Sequence, residues 1–237
     1  MKILFISDFI LAEEQGAKKS TIAHYESLKD IFGADNVQVV ALNSTYSSDD
    51  INIIYKKVKQ SKLKILESIL LGVPFLMSKS DENEILRLCK INDYALIFVD
   101  HSIYGSVIEK IRKVCDTPVV SYFHGIIQYQ NEQFSKNNKI RFRDRLVWEN
   151  IKKNEQDTVK YSNCCLILNE RDNRNLEKYY GVKSKYIFPV YYTDTAHIDK
   201  NVHTDEFTLL FVGGYFWPNI QGITWFIDNV MPKVKSQ

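Results

Sequence analysis

Polar or side-chain-free residues follow directly after several short apolar runs of this chain. After Lys2 to Ser7 (KILFIS) comes a loop with Glu13, Glu14 and Gln15, then Gly16 and Ala17. After Tyr94 to Val99 (YALIFV) come Asp100, His101 and Ser102. After Pro118 to Phe123 (PVVSYF) come His124 and Gly125, and after Cys164 to Leu168 come Asn169, Glu170, Arg171 and Asp172. After Phe207 to Val212 (FTLLFV) come Gly213 and Gly214. If the runs are parallel strands, these residues lie at their carboxyl ends, where ligands of doubly wound sheets bind. A glycine before a helix lets backbone approach a ligand closely, and the helix N-terminus offers free N–H groups to an anion or a hydroxyl. Histidine can bind a sugar hydroxyl or a phosphate oxygen. His101 and His124, at the ends of neighbouring strands, are expected to converge on one cleft.

Each position also has a plain structural reading: a tight turn at Gly16, a hydrogen-bonded turn histidine at His101, a helix cap at Asn169 or Asp172. The chain has no HExxH, no GxSxG, no phosphate-binding P-loop and no Cys/His cluster with metal spacing. Nothing therefore points to a hydrolase triad or a structural zinc.

The elements that must position these residues alternate. Lys18 to Phe32 carries Ile22, Tyr25, Leu28 and Phe32 near helical spacing. Val37 to Leu42 reads as a strand, and Asp50 to Leu71 as mostly helix. Asp81 to Lys90 and Ser106 to Val114 read as helices, and a long polar stretch up to about Tyr161 as helix again. Arg171 to Tyr180 is a helix stopped by Gly181, and Tyr186 to Val190 a strand. The alternation predicts an α/β, Rossmann-like fold with a mainly parallel sheet flanked by helices.

Residues 1–192 are expected to form the first domain, and the polar, patternless stretch 193–206 a linker. Residues 207–237 read as one βα unit of a second, incomplete domain, because about 31 residues cannot build a core alone. The 237 residues are 45% hydrophobic and 25% charged, as in ordinary globular proteins, and the net charge of +2 gives no argument for nucleic acid. Cys89, Cys115, Cys164 and Cys165 form no CxxC pair and read as free thiols of a reducing compartment. The N-terminus reads as a strand rather than a signal peptide, and no apolar stretch is long enough to span a bilayer. The expected location is cytoplasmic, with peripheral contact on the inner face of a membrane as an extension.

Nearly the whole chain resembles the GT4-like retaining glycosyltransferases of the GT-B fold. The passages that carry the likeness are KILFISDF with the Gly16 loop, VVSYFHG, and SNCCLILNERDNRNLEKYYGVKSKYIFPVYYTD. The most specific is LLFVGGYFWPNIQGITWFIDNVMPKV, with its FVG turn, Asn219, the Trp225–Phe226 pair and Pro232. The resemblance implies transfer of a sugar, hexosyltransferase-like, from a nucleotide-diphosphate donor to an acceptor hydroxyl in polysaccharide or glycoconjugate synthesis. It implies no metal and no further cofactor. It places Gly16 and Ala17 near donor phosphates and acceptor, His124 against the transferred sugar, and Gly213 and Gly214 at the donor phosphates. His101, Gly125, Asn169 and Glu170 join the expected binding set by position.

The family's basic residues and paired glutamates of the donor domain are not found in this sequence, so the chain alone is expected to be nearly inactive. The alternative expectation is a non-catalytic acceptor-binding module, or a subunit of a split transferase with a donor-domain partner or self-association. The acceptor would be a saccharide or lipid-linked. Lys62 to Met77 and the basic stretch Lys136 to Arg145 are the segments expected to meet a lipid surface.

Overall fold

The structure is a computed structural model and describes residues 1–12, 16–49, 52–55, 62–75, 77–191, 209–214 and 217–235. It divides into two compact units, Met1–Tyr192 and Thr193–Gln237.

The first unit holds a seven-stranded sheet, all parallel: β1 (Lys2–Ser7), β2 (Val37–Ala41), β3 (Ile53–Tyr55), β4 (Tyr94–Val99), β5 (Val119–Phe123), β6 (Cys164–Ile167) and β7 (Tyr186–Ile187). Their spatial order is β3-β2-β1-β4-β5-β6-β7. The chain first winds outward from β1 to β3, then returns to the other side of β1 as β4. The winding direction therefore reverses between β1 and β4, the switch point at whose carboxyl ends doubly wound sheets offer a ligand crevice.

The helices are α1 (Gly16–Phe32), α2 (Lys62–Leu71), α3 (Lys79–Ile91), α4 (Gly105–Val114), α5 (Ile127–Asn137), α6 (Phe142–Tyr161) and α7 (Glu170–Tyr180), with α8 (Trp217–Asn229) and α9 (Met231–Lys235) in the second unit. The central strands bury both faces because their apolar residues run on consecutive positions rather than alternately. Leu4, Ile6, Ile97 and Val99 face a core closed by α3 and α4 residues such as Ile85, Leu88, Val107, Ile108 and Ile111. Ile3, Phe5 and Phe98 face the other core, with Tyr25 and Leu28 of α1. Within it the Phe5 and Phe98 rings stack at 5.5 Å.

Several boundaries differ from the sequence expectation. The 50–71 segment contains β3 before its helix, since Ile53–Tyr55 adds a parallel edge strand to β2. The long polar stretch is two helices, broken between Asn137 and Phe142. On α1, Ile22 points outward at 40% exposed, while Ser20, Thr21 and His24 are buried with Tyr25 and Leu28. The inward stripe of α1 is thus partly polar because it meets buried polar groups at the strand ends.

In the second unit, residues 209–214 pair with no strand among the described residues, and Leu209, Leu210, Phe211 and Val212 are exposed. The expected strand 207–212 is not formed over its described part, for want of a ladder partner there; residues 207 and 208, like the linker 193–206, lie outside the described residues. Pro218 sits in the first turn of α8, where its missing N–H costs nothing.

Candidate functional site at the β1/β4 crevice

β1 ends in Ser7 and Asp8, β4 in Asp100 and His101, and β5 in His124 and Gly125, so the parallel sheet brings these residues to one edge. Asp100 is their hub. Its N–H extends the ladder to Ile6 O at 2.8 Å, which fixes its carboxylate in the crevice. One carboxylate oxygen accepts from His24 Nδ1 at 2.9 Å. The other accepts from the Ser7 hydroxyl at 3.2 Å and from the Thr21 hydroxyl, and lies 3.4 Å from His124 Nε2. Burial alone would raise the pKa of this fully buried acid. The hydrogen bonds and charges of His124 and His24 outweigh burial and hold it down at about 2.

His124 Nε2 is also 3.2 Å from the Asp100 carbonyl oxygen. A carbonyl can only accept, so Nε2 carries a proton and Nδ1 turns toward Ser20 Oγ, 3.3 Å away. Ser20 Oγ donates to Ala17 O at 2.8 Å. With its one proton on Ala17 O, Ser20 donates nothing to His124, so the Nδ1 lone pair of the Nε2–H ring lies beside the first turn of α1 without a donor from Ser20. His24 packs behind, its ring 4.2 Å from that of Tyr122, and Tyr122 donates to Phe188 O at 3.0 Å.

His101 belongs to a separate pair. Its Nδ1 lies 3.0 and 3.1 Å from the two carboxylate oxygens of Asp8. The Phe9 ring lies against both histidines, 5.0 Å from each, and the His101 and His124 rings are 6.0 Å apart. The convergence expected from their positions is therefore present.

Gly125 has φ +150, and a Cβ there would meet the Gln130 side chain at 2.7 Å. Glu155 of α6 holds this loop from beneath. Fully buried, it accepts from Ser102 Oγ (2.9 Å), from the first N–H groups of α5, Ile127 (3.0 Å) and Gln128 (3.1 Å), and from the Tyr180 hydroxyl (2.7 Å). A carboxylate at a helix N-terminus suits the helix dipole.

The remaining expected residues lie as follows. Gly16 opens α1, and a Cβ built on it meets nothing within 4 Å. Asn169 caps α7, its side chain accepting from Asp172 N at 2.9 Å, and Glu170 is exposed in the first turn of that helix. Gly213 and Gly214 are in the second unit, where Asn219 Nδ2 donates to Gly214 O at 3.1 Å. The crevice also uses Asp8, Ser20, Thr21, His24 and Glu155, which sequence reasoning did not select. The available signal was Ser20, Thr21 and His24 on the same helical face as Tyr25 and Leu28.

Among the described residues no group of three or more His, Cys, Asp or Glu side chains could hold a metal ion. The four cysteines are free, and burial raises the Cys89 and Cys165 thiols to about 12. No described helix is long and apolar enough to cross a membrane. No protein-family model matches the chain, and a search of curated proteins finds no significant relative.

Proposed function

We propose that the first unit carries sugar- and acceptor-binding groups of a nucleotide-sugar-dependent glycosyltransferase. The observation that carries this reading is His124, held through Nε2 by Asp100 at the end of β4, with Nδ1 turned to the first turn of α1. The family resemblance of the VVSYFHG passage supports it. In this reading the N-terminus of α1 and the open backbone at Gly16 receive the donor diphosphate. His124 bonds a hydroxyl of the transferred sugar. The acceptor oxygen bonds to the anomeric carbon as the bond from that carbon to the phosphate oxygen breaks, and the nucleoside diphosphate leaves with the acceptor's hydroxyl proton. Oriented polar groups in a preorganised crevice are what such a transfer requires.

Saturation-transfer NMR with a panel of UDP- and GDP-sugars tests the reading. Magnetisation should reach the sugar protons of at least one donor. A His124→Ala chain should bind that donor about fivefold more weakly, the worth of one hydrogen bond. Silence of all sugar protons across the panel at millimolar concentration would refute the reading.

A peripheral lipid contact belongs to the same proposal. Leu66, Leu70 and Leu71 of α2 are exposed, as are Lys136, Lys139, Arg141, Phe142, Arg143 and Arg145. Apolar side chains with a basic flank suit an anionic bilayer. Flotation with phosphatidylserine vesicles should carry the chain upward at low salt. Sedimentation with the lipid-free fraction would exclude the contact.

A further inference from the structure

We infer that His101, set by Asp8 and flanked by the Phe9 ring, forms a second subsite of the crevice that takes an uncharged saccharide ring, the acceptor, and turns away one that carries a phosphate or carboxylate of its own. That the ligand is a saccharide rests on the glycosyl-transfer reading; the subsite and its preference for an uncharged ligand rest on geometry and charge.

The histidines at the crevice differ in what they leave free. His24 is buried under Tyr122, with Nδ1 on Asp100. His124 has Nε2 on Asp100, and its Nδ1 is turned to the first turn of α1. His101 has Nδ1 on Asp8, and its Nε2 has no partner among the described residues. The His101 side chain is 12% exposed against 2% for Asp8, so the ring rather than the carboxylate meets a ligand, and Asp8 is a positioning residue. Phe9 lies 5.0 Å from the His101 ring and is itself only half-buried, while Tyr104 packs edge-on at 6.1 Å. The two rings limit rotation of the imidazole, and Phe9 offers an apolar surface to the C–H groups of a sugar. An oriented polar atom beside an aromatic ring is the composition of a small-molecule subsite.

A carboxylate on Nδ1 holds a proton there. The neutral ring then accepts at Nε2, and the imidazolium donates from it. A hydroxyl can play either part, so it bonds to both forms of the ring. An ionised phosphate or carboxylate only accepts, so it needs the imidazolium. The surroundings oppose such an anion. Burial alone would lower the pKa of His101 below 6.5, but the charge and hydrogen bond of Asp8, followed by the charges of Asp100 and Glu155, raise it. The three carboxylates that keep a proton on the ring also repel a further negative charge at Nε2, and one imidazolium does not offset three carboxylates. Like charges brought together are how a site rejects a wrong ligand. Tyr104 adds no charge, because burial followed by the charge of Asp8 keeps its phenol protonated. The donor diphosphate belongs to the N-terminus of α1, whose dipole favours an anion, and the β4 side is left to the uncharged partner.

The test is long-range ¹H–¹⁵N NMR of the histidine rings of the full chain, titrated with methyl glycosides in pairs that differ by one carboxylate: methyl glucoside with methyl glucuronide, and methyl galactoside with methyl galacturonide. Before ligand is added, the neutral His101 ring should carry its proton on Nδ1. The uncharged member of at least one pair should shift His101 Nε2, and its uronide should bind at least about tenfold more weakly. His101→Phe keeps an aromatic ring at the site and should weaken the uncharged glycoside about fivefold, the worth of one hydrogen bond, read by saturation transfer to the glycoside protons. A neutral ring with its proton on Nε2, a His101 signal that no glycoside moves, or a uronide that binds as well as its partner overturns the inference, even if sugar nucleotides bind at His124. An unchanged affinity in His101→Phe overturns it as well. If an uncharged glycoside contacts His101 while every UDP- and GDP-sugar is silent, the subsite stands and the glycosyl-transfer reading falls.

Discussion

Gly105→Ala should destabilise the first unit by about 3 kcal/mol or more, or prevent folding, because the substitution over-packs a close helix crossing. A Cβ at this position would lie 2.1 Å from the Asn154 carbonyl oxygen, 2.3 Å from Thr158 N and 2.6 Å from Asp157 Cβ. Two of these are main-chain atoms of α6, which no rotamer change can move aside. The crossing is further fixed by polar bonds. Ser106 N donates to Asn154 Oδ1 at 3.1 Å, and the Thr158 hydroxyl donates to Ser102 O at 2.7 Å. Displacing α6 would also carry away Glu155 and so loosen the loop that holds His124. Urea unfolding followed by circular dichroism gives the measurement. A Gly105→Ala midpoint within error of wild type would mean that α4 and α6 do not approach this closely.

Asp100→Asn should also cost about 3 kcal/mol, the scale for breaking a buried charged network by changing one partner. The replacement keeps the shape, but one carboxylate oxygen becomes an N–H donor that faces donors. Ser7, Thr21, His24 and His124 cannot all be satisfied by an amide. The effect has a definite pH dependence. The folded-state pKa of Asp100 is depressed, from 3.8 to about 2, so its contribution is complete above the unfolded value and is lost as pH falls toward the folded value. The gap corresponds to about 2 kcal/mol of linkage. Wild-type stability should therefore drop between about pH 4 and pH 2, and the Asp100→Asn curve should be flatter over that window. Parallel curves for the two chains would show that Asp100 is not the ionised hub. The donor-binding loss expected for His124→Ala should reappear in Asp100→Asn, because the amide no longer fixes the imidazole.

Much of the fold is legible in the residues themselves. Runs such as KILFIS and YALIFV are apolar on consecutive positions and short, as strands of a sheet buried on both faces are. The helices between them stand out by period, and Gly181 closes α7 at φ +69 as a C-terminal glycine should. His101 and His124 were legible as candidates because each lies within two residues of the end of such a run. Where the sequence misled, local signals were missing. Ile53–Tyr55 is too short for a period-2 pattern, and no glycine or proline marks the break between α5 and α6.

The amino-acid sequence alone determined the parallel α/β class and the chemistry waiting at each strand end, because periodicity and residue type are local properties. The tertiary structure decided which of those groups work together. Asp8 and His101 are 93 residues apart, as are Ser7 and Asp100, and Thr21 lies 79 residues from Asp100. Whether a carboxylate is a buried hub or a solvated charge depends on donors that arrive from distant segments, and strand order together with the packing of α1 brings them together. The strand-like 207–212 run makes the same point in reverse: apolar residues specify a tendency to pair, and its described part, 209–212, has no ladder neighbour among the described residues.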